Sequence, residues 1–157
     1  MNHSETSRVR AVTKADLEIA RNLTRASGLF DAPGVEHVQS TLEQHLAGGS
    51  EELWLLIEDG GLVYCAPEAL TDGTWNMLML LVASDRRGQG FGRTLVDAAM
   101  QALRERGVRL LIVETSGTDD FVGAREFYTK VGFALEGRIR DFYAQGDDKI
   151  ILSKRLV

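Results

Sequence analysis

Leu80-Leu81-Val82-Ala83-Ser84-Asp85-Arg86-Arg87-Gly88-Gln89-Gly90-Phe91-Gly92-Arg93 decides how this chain folds. The run from Met77 to Val82 is continuously apolar, as expected of a strand buried on both faces at the centre of a sheet. From Phe91 onward, Leu95, Ala98, Ala99, Ala102 and Leu103 recur at i, i+3, i+4 spacing, which predicts a helix closed by Arg104, Arg106 and Gly107. Between strand and helix, three glycines in five residues remove the Cβ atoms that would block close approach. They leave successive N–H groups to surround an anion at the positive end of the helix. A pyrophosphate is the natural occupant, and Arg86, Arg87 and Arg93 add positive charge that a purely structural turn would not need.

Two familiar phosphate loops fail against this stretch. A Walker loop ends in Gly-Lys-Ser/Thr, whereas Gly92-Arg93-Thr94 puts arginine at the lysine position and has no glycine at the upstream spacing. A dinucleotide fingerprint would use Glu114, about twenty residues beyond the last glycine, for a ribose. However, Arg93 stands where its third glycine or alanine belongs, and too little chain follows to complete a doubly wound sheet.

Upstream, Val9 to Val12 reads as a short strand. Thr13 and Asp16 offer capping oxygens to a helix carrying Leu17, Ala20 and Leu23 and ending at Gly28. Pro33-Gly34 is expected to break the chain before a second helix marked by Val35, Val38, Leu42 and Leu46, which stops at Gly48-Gly49. Leu53 to Ile57 and Leu62 to Ala66 flank the hairpin signal Asp59-Gly60-Gly61, Pro67 ends the return strand, and Thr71-Asp72-Gly73-Thr74 is another turn. Downstream come a second buried strand at Leu110 to Val113 and a helix from Phe121 to Val131 closed by Gly132. Two strands follow from Phe133, separated by Gln145-Gly146-Asp147. The order is β-α-α-β-β-β-α-β-α-β-β without repeat or long linker, so we expect one α/β domain over residues 1–157.

Composition narrows the function classes. The 157 residues carry a net charge of −5, with 44% apolar and 26% charged residues, which disfavours disorder and broad binding to nucleic acid or anionic membranes. Cys65 is the single cysteine, so no intrachain disulfide forms, and it reads as a small core residue. His3, His37 and His45 lack metal-ligand spacing, and no metal site is expected. The first ten residues are polar without an apolar signal region, and the longest apolar run is far short of a membrane span, so we expect a soluble protein of the reducing cytoplasm.

Arg87-Gly88-Gln89-Gly90-Phe91-Gly92 also matches Arg/Gln-x-x-Gly-x-Gly/Ala in full. This loop resembles the acetyl-CoA loop of the GNAT superfamily of N-acetyltransferases. Ala124-Arg125-Glu126-Phe127-Tyr128-Thr129-Lys130-Val131-Gly132-Phe133 resembles that family's second signature, Ala-x-x-Phe/Leu-Tyr-x-Lys-x-Gly-Phe, at the expected distance downstream. The resemblance covers roughly Val9 to the C-terminus and is weakest before Leu53. It implies a GNAT-like α/β fold with a mixed, mostly antiparallel sheet flanked by helices.

The resemblance also implies chemistry. Acetyl-CoA would be the acyl donor, its pantetheine arm along Leu80, Leu81 and Val82 and its pyrophosphate on Arg87, Gly88, Gln89, Gly90, Phe91, Gly92 and Arg93. Tyr128 would protonate the leaving thiolate. Two positions depart from the family pattern: Asn76 stands where many relatives carry a glutamate base, and Phe121 stands where an asparagine often precedes the tyrosine, with Thr118 or Asp119 as substitutes for its contact. An amine acceptor, cationic before reaction, favours carboxylates and aromatic faces, which directs attention to Glu68, Trp75, Asn76, Asp141 and Tyr143, with Glu114 as base. The expected function is acetyl transfer to a primary amine of a small molecule or peptide, homodimers being frequent among similar proteins. The rival is an acyl-CoA-binding sensor that does not transfer.

Overall fold

A computed structural model of the chain describes residues 8–58 and 60–157. The elements are β1 (Val9–Ala11), α1 (Leu17–Ala26), α2 (Ala32–Leu46), β2 (Leu53–Ile57), β3 (Gly61–Pro67), β4 (Thr74–Val82), α3 (Phe91–Glu105), β5 (Leu110–Ser116), α4 (Val122–Lys130), β6 (Ala134–Ala144) and β7 (Asp147–Arg155). The strands follow the order β1-β2-β3-β4-β5-β7-β6. Two compact units divide the chain, residues 1–66 with 79–102 and residues 67–78 with 103–157, so that β4 and α3 each contribute residues to both.

In the first unit, β1, β2 and β3 run antiparallel, with Leu55 opposite Ala11 on one side and Val63 on the other. β2 is five apolar residues buried on both faces. Its Trp54 and Leu56 join Leu62, Met79 and Leu81 in a core closed by Ala20 of α1 and Leu42 of α2. The β2–β3 hairpin forms where Gly60-Gly61 predicts it, while Asp59 lies outside the described residues, as does His3. Gly61 is indispensable for packing, because a Cβ there would stand 2.5 Å from Leu81 O and 2.8 Å from a Leu95 methyl.

α1 is entered through a 3₁₀ turn, Lys14–Asp16, that is closed by a reciprocal cap. Thr13 N–H donates to Asp16 Oδ2 at 2.8 Å, and the Arg10 guanidinium grips both oxygens of the same carboxylate at 2.7 and 2.8 Å. That guanidinium holds the Asp16 carboxyl well below the usual carboxylate range. Pro33-Gly34 does not break the chain. It lies in the first turn of α2, where proline's fixed φ fits and its missing N–H is no loss, and Asp31 Oδ1 caps the turn by accepting from Gly34 N–H at 2.8 Å.

In the second unit, β4 pairs in parallel with β5 over Thr74↔Leu110, Trp75↔Leu111 and Asn76↔Ile112, β5 pairs antiparallel with β7, and β7 with β6. The β4–β5 register ends at Asn76. The expectation that β4 is buried on both faces is overturned: Met77, Met79 and Leu81 are buried, but Leu78 is 51% exposed and Leu80 and Val82 are half-buried. From Met77 to Val82 one face is covered and the other is partly open, so burial alternates along that run. β5 alternates in the same way and runs on to Ser116, beyond the predicted end at Val113. On α3 the buried stripe is Leu95, Val96, Ala99, Met100 and Leu103, so Val96 and Met100 replace Ala98 and Ala102, the larger side chains facing the core.

Candidate functional site

The glycine loop is built within the first unit. After Val82, Ala83 N–H donates to Gly60 O at 2.8 Å, a single 3₁₀ turn covers Ser84–Arg86, and Gly88 and Gly90 follow at φ of +74° and +83°. Only glycine adopts this pair of conformations without strain. A Cβ at either position would meet no protein atom within 4 Å, so both face open space. Arg86 N–H donates to Ala83 O at 2.8 Å and Thr94 N–H to Gly90 O at 3.0 Å. Between them, among the described residues, the N–H groups from Arg87 to Arg93 have no backbone acceptor. With α3 starting at Phe91, these orphan donors and the helix dipole point the same way, which suits a phosphate-bearing ligand. Arg86, Arg87 and Arg93 are exposed around it, Arg93 lying 3.7 Å from Asp97.

Leu80 and Val82 share the half-open face of β4, whereas Leu81 points into the core. A cavity of about 550 Å³ lies against this end of the strand, between Ile19, Asn22, Leu23 and Ala26 of α1 and the Val82–Arg87 segment. Sequence reasoning missed the α1 wall, because only the tertiary fold brings α1 to the loop.

The second unit holds the remaining candidates in separate groups. Tyr128 is half-buried on α4, edge-on to Phe127 at 5.5 Å and to Phe133 at 5.8 Å between centroids, and the chain returns through a Phe133 N–H bond to Tyr128 O. The preceding Asp119–Phe121 turn is anchored by Arg125, whose Nη1 donates to the carbonyls of Ser116 and Thr118 at 2.7 and 2.8 Å. Thr118 Oγ1 is hydrogen-bonded to Ser116 Oγ at 2.9 Å, while Asp119 is exposed.

Glu68 and Asn76 are brought together: Asn76 Nδ2 donates to Glu68 Oε1 at 2.9 Å. Trp75 is not with them, since it points to the opposite face of β4, buried, with the Arg106 guanidinium 5.6 Å from its ring centroid. Glu114 and Tyr143 gather around Lys149, a residue that sequence reasoning did not single out. Lys149 Nζ lies 2.8 Å from Glu114 Oε2, 3.6 Å from the Phe142 ring centroid and 6.0 Å from that of Tyr143. Burial, followed by the nearby Glu114 and Asp147 charges, pushes the Tyr143 hydroxyl above its ordinary value. Asp141 has φ of +55°, its Oδ1 accepts from Gly146 N–H at 2.8 Å, and its own N–H donates to Asp148 Oδ1 at 3.0 Å. Its carboxylate is thus committed to the β6–β7 hairpin.

The profile of the acetyltransferase (GNAT) domain matches residues 49–135, more than half of the chain. The chain belongs to the GNAT acetyltransferase family. N-alpha-acetyltransferase 30 of Schizosaccharomyces pombe is 30% identical over 70 residues, a match spanning 45% of this chain and 45% of that relative, so less than half of the curated relative's length is shared. A GNAT-family protein from Desulfovibrio desulfuricans is 29% identical, with a TM-score of 0.87 over 95% of this chain and 98% of its own. An aminoglycoside 6'-N-acetyltransferase solved with coenzyme A has the same fold at 19% identity, with a TM-score of 0.75 and coverage of 95% and 97%. Both GNAT signatures thus lie on the elements expected of them, the first on the β4–α3 turn and the second on α4. Among the described residues no helix is long and apolar enough to cross a membrane, and no cluster of three metal-ligating side chains occurs.

Proposed function

We propose that this GNAT protein transfers the acetyl group of acetyl-CoA to a primary amine of a small molecule or peptide. The observation that carries the reading is the run of unbonded N–H groups from Arg87 to Arg93 at the start of α3, shaped by two left-handed glycines and ringed by arginines. This is a cradle for a pyrophosphate, and backbone groups of Leu80–Val82 would extend it along the pantetheine arm. Acetyl-CoA supplies the activated acyl group. Relatives act on protein N-termini and on aminoglycosides by their names, which supports an amine acceptor and leaves both classes as candidates.

Three tasks fall to this chain: to hold the donor, to free the amine's lone pair, and to return a proton to the departing thiolate. Tyr128 takes the last. Its ring packs edge-on against Phe127 and Phe133, which holds the side chain, and a phenol O–H is a group able to donate a proton to a leaving thiolate. Glu114 is ion-paired with Lys149 at 2.8 Å, so its charge is already matched within the chain.

The test is thiol release from acetyl-CoA by the purified chain with a panel comprising spermidine, kanamycin and short peptides with free N-termini. Amine-dependent release is expected, and tight acetyl-CoA binding without release would favour the sensor instead. Tyr128→Phe should lower kcat about 10²-fold, at the low end for a lost general acid, and leave acetyl-CoA affinity unchanged. Turnover within twofold of the parent would remove Tyr128 from the role.

A further inference from the structure

β4 presents Asn76 and Leu78 on one face, and Leu78 is 51% exposed although β4 lies mid-sheet. Asn76 is 4% exposed, and its amide is used on one side only. Nδ2 donates to Glu68 Oε1 at 2.9 Å, while Oδ1 is buried and has no hydrogen-bond partner. Buried acceptors in native proteins are nearly always satisfied, so an orphan of this kind points to a donor that arrives with a ligand. Glu68 is rigidly placed to meet the same ligand. Its N–H donates to Thr74 O at 2.9 Å, and its carbonyl accepts from Thr71 Oγ1 at 2.8 Å. Its carboxylate is half-buried, held at Oε1 by a neutral amide, and among the described residues it has no cationic partner.

Glu114 differs on this point. Its Oε2 is already matched by an ammonium at 2.8 Å, seated against an aromatic ring. Two basic groups beside the Asp72–Trp75 stretch are engaged elsewhere: Arg109 Nε donates to Asp72 O at 2.8 Å, and Arg106 lies over Trp75 on the opposite face of β4.

We infer that Glu68, oriented by Asn76, is the carboxylate that binds the acceptor's ammonium and takes its proton. The inference rests on the acetyl-transfer reading and replaces Glu114 as proton acceptor. An alkylammonium brings the N–H donors that Glu68 Oε2 and Asn76 Oδ1 lack. One N–H proton moves to Glu68, giving a neutral amine and a carboxylic acid. The nitrogen lone pair then forms the C–N bond to the thioester carbonyl carbon, and the C–S bond breaks with its electron pair going to sulfur. Of the ammonium's three protons, one leaves through Glu68 to solvent, one ends on the thiol and one stays on the amide. Glu68 is therefore a catalytic residue and Asn76 a positioning residue.

The experiment compares the parent, Glu68→Gln, Asn76→Ala, Glu114→Gln and the exchanged pair Glu68→Gln with Asn76→Asp. It measures kcat/KM against pH with the best acceptor of the panel, and n-butylammonium binding by NMR in the presence of coenzyme A. Glu68→Gln should lose about 10²-fold in kcat/KM at neutral pH and recover as pH approaches the amine's own pKa, the signature of a lost base. Asn76→Ala should lose about tenfold with the acid limb displaced, and the exchanged pair should regain an acid limb because a carboxylate is back in the pair. n-Butylammonium should bind the parent and Glu114→Gln alike, and Glu68→Gln at least tenfold more weakly. A parental pH profile in Glu68→Gln, or equal n-butylammonium binding in it and the parent, overturns the inference. If the parent transfers to no amine yet binds n-butylammonium through Glu68, the acetyl-transfer reading falls and the cation site stands. If it does neither, both fall.

Discussion

Gly90 holds φ at +83° where an added side chain would meet no protein atom, so Gly90→Val changes two things while leaving the core intact. A branched residue resists the left-handed conformation, at a cost of about 1–2 kcal/mol, and its methyls project into the space left for an anion. We expect calorimetry to show acetyl-CoA affinity falling by at least ~2 kcal/mol, as several charge-assisted hydrogen bonds are lost. Gly137→Ala, also in open space but without a positive φ, should change nothing; equal losses in the two variants would sink the cradle. The loop was legible in the sequence because its geometry is local: glycine spacing and a following helix suffice. The Lys149–Glu114 pair was not, since it depends on β5 and β7 lying side by side with Glu114 opposite Ile151 and Lys149 opposite Ser116. Nor does the residue type of Asn76 foretell that one half of its amide is bonded and the other stranded.

At the scale of the element, the turn that leads into α1 depends on charge. The Asp16 carboxyl is depressed by the Arg10 guanidinium first, with burial opposing and Thr13 assisting. Its stabilisation is therefore complete above the unfolded carboxylate value near ~4 and is lost progressively as pH falls below it. Asp16→Asn should cost about 2 kcal/mol in urea unfolding at pH 7, the range for hydrogen bonds to a charged group, and the difference from the parent should narrow toward pH 3. A pH-independent difference would mean that the cap acts through shape alone. The sequence showed the cap as Thr13 and Asp16 but not its third member, because Arg10 belongs to β1. It misread β4 and the stripe of α3 for a related reason: an apolar run records which side chains tolerate burial, whereas covering a face requires another element to be there. Leu78 is apolar and uncovered.

At the scale of the molecule, each compact unit contains one tryptophan, Trp54 in the first and Trp75 in the second. β4 runs through both units, and we propose that they unfold as a single cooperative domain. Trp54→Phe and Trp75→Phe each leave one reporter, and their urea transitions should each coincide with the loss of helical circular dichroism measured on the same variant. A reporter that departs from its own variant's helical signal would show separate unfolding. Fold class was readable because element order and the two signatures agree, while the shared strand was not, since contact density has no local sequence signal.

The seating of Lys149 bears on a hazard of handling thioesters, which acylate exposed amines without catalysis. The chain has four lysines among eighteen basic residues. Lys149 is tied to Glu114 under the Phe142 ring, and Lys154 Nζ donates to Val131 O at 2.9 Å, whereas Lys14 and Lys130 are exposed. Prolonged incubation with millimolar acetyl-CoA should therefore mark Lys14 and Lys130 well before Lys149 and Lys154 in a peptide mass map. A basic surface written largely in arginine, with half of its lysines occupied, resists wear by its own reagent.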